Sequence, residues 1–204
     1  MNLSEFQQMM KAVFDARKIP GWQSDVDLMA LYLVARYGPG KGNIVEIGTW
    51  EGKSTCVLAK GAKDGRREKV YTIDHHKGSP EHHEAGVMPI EGSTLPRFRN
   101  NMKAFGFESH VIPIVSTSEE AARKWKGPIR FLFIDGDHSY PSVKKDFLMW
   151  SKFVIKGGII GMDDVTKEGP KRVLEEFVFP SDDYKNPINI GKIIFFKKRN
   201  ELIK

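Results

Sequence analysis

The stretch Asn43-Ile-Val-Glu-Ile-Gly-Thr-Trp-Glu-Gly-Lys-Ser-Thr55 decides how this chain is read. Ile44 to Ile47 is a short apolar run broken by one acid, Gly48 and Gly52 bracket a turn, and residues 53–60 read as a helix. Strand, glycine turn and helix in that order form the nucleotide-cradling unit of an α/β fold, with the helix N-terminus turned to the ligand. Two glycines four positions apart are a weak signal alone. Asp74, 26 residues beyond Gly48, strengthens it: it closes a second apolar run (residues 69–74), where an acid receives the hydroxyls of a ribose.

The residues inside the turn narrow the ligand. A pyrophosphate needs glycines that let the backbone approach it. Here Thr49, Trp50 and Glu51 fill the turn, and Glu51 is expected to set a negative charge beside any phosphate. S-adenosylmethionine has no phosphate and carries a sulfonium and an ammonium, so an acid-rich, bulkier turn suits it. Glu46-x-Gly48 followed by Gly52-x-Ser54-Thr55 resembles the first motif of the class I S-adenosylmethionine-dependent methyltransferases, in the form found in small O-methyltransferases. The resemblance implies cofactor contacts at Glu46, Gly48, Thr49, Trp50, Gly52, Ser54, Asp74 and His75. It implies further contacts at Ser116, Thr117 and Ser118, hydroxyl residues where relatives often place Gly-Asp against the adenine, and at Asp135.

At 204 residues, one domain with a sizeable core is expected, spanning 1–204. Within it residues 1–40 form a helical addition, 41–204 the cofactor-binding core and 75–92 a lid loop. No apolar run approaches bilayer length and the N-terminus shows no leader pattern, so cytoplasmic residence and no membrane partner are expected. Cys56 is the only cysteine, which excludes an internal disulfide and suggests packing. The net charge of +6 is dispersed in pairs such as Arg66-Arg67 and Lys144-Lys145, the pattern of a solvated surface more than of a nucleic-acid patch.

Along the chain, residues 4–17 carry a helical stripe (Phe6, Met9, Met10, Val13, Phe14), with Ser4 and Gln7 as its capping box. Ser24 with Asp27 caps a second helix that Gly38-Pro39-Gly40 ends. These two helices are expected beside the sheet's ligand edge, where they shape the acceptor pocket or serve as scaffold or dimer face. Residues 75–92 have no period and hold four of the six histidines; such a long loop suits a lid or a binding loop. Metal binding by its histidine pairs matches no standard spacing. Further strands are read at 110–115, 129–134, 155–162 and 188–198, with helices between them and no strand visible between Val178 and Pro187. This alternation predicts a Rossmann-like, doubly wound, mostly parallel seven-stranded sheet preceded by two N-terminal helices.

Acids recur at strand ends: Asp74, then Asp135-Gly-Asp-His138, then Asp163-Asp164. Asp135, Asp163 and Asp164 together suit a hard divalent ion, typically magnesium, that lowers the pKa of an acceptor hydroxyl. Asp137 or His138 then takes the proton. The alternative is that Asp135 and Asp164 contact cofactor or cap helices. Phe-Ile-Asp-Gly-Asp-His-Ser-Tyr140, Gly157-Gly-Ile-Ile and the acid pair resemble a family that includes macrocin-type sugar O-methyltransferases and cephalosporin hydroxylase-like proteins. In that family Asp135, Asp163 and Asp164 match metal positions and Asp137 the base; many relatives have His-Asp in place of Asp163-Asp164, and metal dependence varies with it. The expected activity is O-methylation of a small hydroxylated acceptor such as a sugar or glycan. The alternatives are a nucleic-acid methyltransferase, encouraged only by net charge and without an Asn-Pro-Pro-Tyr-type motif, and a non-catalytic cofactor-binding module.

Overall fold

The computed structural model describes residues 1–199. Two helices, α1 (Leu3–Ala16) and α2 (Asp25–Tyr37), lead into β1 (Asn43–Ile47), α3 (Lys53–Asp64) and β2 (Val70–Ile73). A short helix α4 (Pro80–Glu84) and α5 (Leu95–Ala104) precede β3 (Val111–Ile114), α6 (Ser118–Lys124) and β4 (Ile129–Ile134). The chain continues through α7 (Tyr140–Trp150), β5 (Val154–Met162), α8 (Glu168–Val173), β6 (Tyr184–Ile190) and β7 (Ile193–Lys198).

The strands form one sheet in the order β3-β2-β1-β4-β5-β7-β6. The first five pair in parallel, and β7 runs antiparallel between β5 and β6. Strand order reverses between β1 and β4, which opens a crevice at their carboxyl ends, the place where such sheets bind ligands. Pro113 is tolerated because β3 is an edge strand.

Both faces of the sheet are covered, so its inner strands are apolar on both sides. Ile44, Phe131, Phe133 and Phe195 pack with residues of α1, α2, α3 and α5. Val45, Leu132, Ile134, Ile160 and Phe196 pack with α6, α7 and α8 on the opposite face. Cys56 lies in the first of these cores, as its packing role predicts, and burial pushes its thiol up to about 12. No described helix is long and apolar enough to cross a membrane.

Four expectations change. The capping box of α1 is Asn2 with Glu5, not Ser4 with Gln7, whereas Ser24 and Asp27 cap α2 as read. The helices α1 and α2 lie over α3 on one face of the sheet, and it is the segment between them that reaches the ligand edge. The lid region is not wholly irregular, since Ser79 and Pro80 start α4 within it. Residues 188–198 are not one strand: Gly191, with φ of +60°, turns the chain between β6 and β7, and the missing sixth strand begins at Tyr184. A β-branched and aromatic run on both sides of an Ile-Gly-Lys turn hides that reversal from a periodicity argument.

Arg130, fully buried at the start of β4, fastens α2 to the sheet. Its guanidinium donates to the carbonyls of Val34 (3.3 Å) and Ala35 (2.5 Å) and to Glu68 (2.9 Å). Two carbonyls of the last turns of α2 thereby receive a charge that is itself paired with Glu68.

Candidate active site

The turn after β1 is held by close packing. Gly48 (φ +80°) passes so near the end of β4 that a Cβ on it would lie 2.1 Å from the carbonyl oxygen of Asp135. Trp50 (φ +50°) and Gly52 (φ +95°) complete the reversal, and Gly52 caps α3. Asp74 secures the turn from β2: its Oδ2 accepts the backbone N–H of Thr49 (2.9 Å) and Trp50 (3.0 Å), and its Oδ1 that of His76 (2.6 Å). The acid expected to face a ribose is therefore also the clamp of the glycine turn, with acceptor capacity left on Oδ1.

Glu46 departs from its expected place. It is fully buried beneath the turn and does not line the cavity; its carboxylate accepts the hydroxyls of Ser54 and Thr55 and so ties α3 to β1. Gly52 does not line the cavity either. Burial pushes Glu46 up to about 7, against the pull of the two hydroxyls, from an ordinary 4.5. Because the folded value is the higher, the stability this group contributes is fully present below 4.5 and is lost as pH rises through about 7. Denaturant unfolding followed across that window is expected to show a shallower alkaline loss in Glu46→Gln than in wild type; equal slopes would show that Glu46 does not titrate there.

Glu51 also differs. Its carboxylate is buried and paired with Arg97 of α5 (3.1 Å), so its charge does not face the ligand. The acidity of the site comes from elsewhere. A cavity of about 710 Å³ opens at the carboxyl ends of β1, β2, β4 and β5. Its wall carries seven carboxylates (Asp74, Glu81, Glu119, Asp135, Asp137, Asp146, Asp164) against four ammonium groups (Lys53, Lys145, Lys167, Lys192). This excess of acid suits a cationic ligand, and the volume falls within the roughly 300–1,000 Å³ of small-molecule sites.

Gly48, Thr49, Trp50, Ser54, His75, Ser116, Thr117 and Ser118 all border this space. The hydroxyls of the last two have local duties: Thr117 caps α6, and Ser118 Oγ accepts the indole N–H of Trp150 (2.8 Å).

The strand-end acids do not converge as a set of three. Asp135 and Asp163 face each other, and burial pushes both carboxyls up from the ordinary range, Asp163 further because Asp135 lies beside it. Asp135 Oδ2 also accepts from Gln23 Nε2 at 2.6 Å, a contact absent from the sequence reading. Asp164 (φ +49°) turns away, to Lys192 Nζ (2.9 Å) and Lys167 Nζ (3.2 Å). Among the described residues, Asp135, His138 and Asp163 are the acids and histidine whose ligand atoms come together, within 4.8 Å. The histidines of the 75–92 segment form no such group.

Asp137 is tied up. It accepts from Ser139 N (3.1 Å), Ser139 Oγ (2.9 Å) and Ser142 Oγ (2.8 Å) at the start of α7, and these bonds hold its carboxyl below the usual range against the effect of burial. His138 Nε2 is buried without a hydrogen-bond partner, 3.7 Å from Asp135 Oδ1 and 3.6 Å from Asp164 Oδ2. Its Nδ1 lies 3.3 Å from Glu81 Oε2 and 3.2 Å from Lys167 Nζ. When Nδ1 donates to Glu81, Nε2 is left as a proton acceptor.

Glu81 brings α4 over the site. It pairs with Lys167 (2.8 Å) as well as His138. Beside it His82 stacks on Trp50 (centroids 4.1 Å apart), and Trp22 leans on both rings. Of the other loop histidines, His76 bonds Thr94 (2.9 Å) and His83 bonds the carbonyl of Lys77 (2.8 Å).

Residues 45–165, the span from the glycine turn through the acid pair, match the model of a family described as a methyltransferase domain. The chain belongs to that methyltransferase family. Similar folds are seen in the O-methyltransferase NovP (TM-score 0.71, 17% identity, 87% of this chain and 81% of that one) and in TomG from Streptomyces achromogenes, solved with SAM (TM-score 0.66, 18% identity, 95% and 90%). An O-methyltransferase from Bacillus cereus, solved with SAH, is also similar (TM-score 0.64, 19% identity, 98% and 92%). An uncharacterised protein of Acanthamoeba polyphaga mimivirus is 32% identical over 124 residues, 59% of this chain and 50% of that protein. The chain thus spans about half the length of that curated relative.

Proposed function

We propose that this methyltransferase uses S-adenosylmethionine to methylate a hydroxyl of a small acceptor such as a sugar or glycan. The observation that carries the reading is the clamped turn Gly48–Gly52 at the mouth of a net-acidic cavity, inside a methyltransferase-family sequence. The cofactor-bound and product-bound O-methyltransferases of similar fold support it. When bound, S-adenosylmethionine supplies the methyl: the acceptor oxygen gains it as the carbon–sulfur bond breaks to leave a neutral thioether. Asp74 and the backbone it clamps orient the nucleoside. His138 Nε2 receives the hydroxyl proton. Trp22, 56% exposed at the mouth and leaning on Trp50 and His82, offers the apolar face on which a sugar ring stacks.

The magnesium set expected at Asp135, Asp163 and Asp164 does not fit this arrangement. Lys192 lies 2.9 Å from Asp163 and from Asp164, and Lys167 3.2 Å from Asp164, so an ion there would have to displace ammonium groups already in place. No step above is routed through a metal.

Calorimetry is expected to show binding of S-adenosylmethionine and of its demethylated product, and none of NAD. Asp74→Ala is expected to weaken the cofactor by about 1.5–3 kcal/mol, the scale for losing hydrogen bonds to a charged group. Tight NAD binding would overturn the reading.

A further inference from the structure

We infer that Lys192 fills the cation place of the acidic cluster, so that this chain takes up no divalent ion between Asp135, Asp163 and Asp164. Its ammonium lies 2.9 Å from Asp163 Oδ2 and 2.9 Å from Asp164 Oδ1, bridging the two neighbouring carboxylates. The ammonium donates a hydrogen bond to Asp164 Oδ1, and its contact with Asp163 Oδ2 is an ion pair without a hydrogen bond. A lysine in this role is a compact point charge, like a small ion.

The backbone behind Lys192 is built to hold that position. Its N–H donates to Asp27 Oδ1 (3.0 Å), and its carbonyl accepts from Val165 N (3.3 Å), directly after the acid pair. Asp27 is buried and is itself fixed by Ser24, whose N–H (2.8 Å) and Oγ (2.7 Å) donate to Oδ2. Gly191 makes the approach possible: a Cβ there would lie 2.1 Å from Asp27 Oδ1. The hairpin turn is thus seated on the N-terminus of α2, and the side chain that leaves it has 25% of its surface exposed.

Two of the remaining ligand atoms are also engaged, although Asp163 Oδ1 is buried without a hydrogen-bond partner. Asp164 Oδ2 faces Lys167 (3.2 Å) and His138 (3.6 Å), and Asp135 Oδ2 receives Gln23. An entering ion would have to displace an anchored ammonium and then share the acids with two further cationic or donor groups. Charge that a divalent ion would bring is already present in covalently tethered form, at an effective concentration no free ion matches.

The inference rests on the methyl-transfer reading for its meaning, but its test does not. Mn²⁺ titrated into the purified protein and followed by electron paramagnetic resonance is expected to stay free with wild type up to millimolar concentration. Lys192→Met should bind Mn²⁺ about 10–100-fold more tightly, the scale on which groups beside metal ligands change affinity. Lys192→Arg should behave as wild type, because it keeps the charge. In the same series, magnesium should raise the melting temperature of Lys192→Met and leave that of wild type unmoved by magnesium or EDTA. Tight Mn²⁺ binding by wild type, or no gain in Lys192→Met, overturns the inference; if Lys192→Met fails to fold, the wild-type titration alone decides. Failure to bind S-adenosylmethionine would instead defeat the methyl-transfer reading and leave the Mn²⁺ result standing.

Discussion

Replacing His138 by alanine is expected to lower kcat for methyl transfer by about 10²–10⁴-fold, the usual worth of a positioned base, while leaving cofactor affinity nearly unchanged. A sugar hydroxyl does not lose its proton unaided at neutral pH, and His138 Nε2 is the buried acceptor beside the strand-end acids with no bond of its own. Asp137, the neighbouring candidate, has its carboxylate occupied by Ser139 and Ser142. Asp137→Asn should therefore act on the start of α7, lowering stability with a far smaller fall in kcat. The check is a radiolabelled methyl-transfer assay with a hydroxylated acceptor, run as a pH series. A near-wild-type His138→Ala with an inactive Asp137→Asn would reverse the roles.

Gly48→Ala is expected to abolish measurable cofactor binding. The added methyl would meet backbone of Asp135 at 2.1 Å, and the residue would have to keep φ near +80°. Backbone strain of about 1–3 kcal/mol adds to an overpacking cost of about 1–3 kcal/mol. Relief requires β1 and β4 to part at the crevice, which pulls the Thr49 and Trp50 amides from Asp74. Thermal melting should report the strain, and calorimetry the loss of binding. Cofactor affinity within a few-fold of wild type would mean the turn is not part of the site.

Much of this was legible in the sequence because it rests on local chemistry. Strand, glycine turn and helix, with an acid closing the next strand, need only neighbours in the chain to be recognised, and they located the turn and Asp74. What stayed hidden depends on where side chains point after folding. Glu51 reads as a ligand-facing acid until Arg97, 46 residues away, takes it. Glu46 reads as a contact until its hydroxyl partners on α3 bury it. The choice between Asp137 and His138 turns on two serines that are visible in the sequence but silent about direction. Lys192 was missed for a plainer reason: a glycine turn inside a run of strand-forming residues reads as continuous strand. The glycine was the available signal, since interior strand positions rarely favour it.

Gln23 and Lys192, the groups that engage Asp135 and the Asp163-Asp164 pair, both fall outside residues 45–165. The family portion is therefore a chassis rather than a complete machine. Transplanting it between relatives would carry the cofactor turn, the histidine and the acids, but would leave the counter-charge behind on a terminal hairpin. Two enzymes alike throughout that portion can then differ in ion requirement through one residue at a turn, and inventories of shared positions would not register the change.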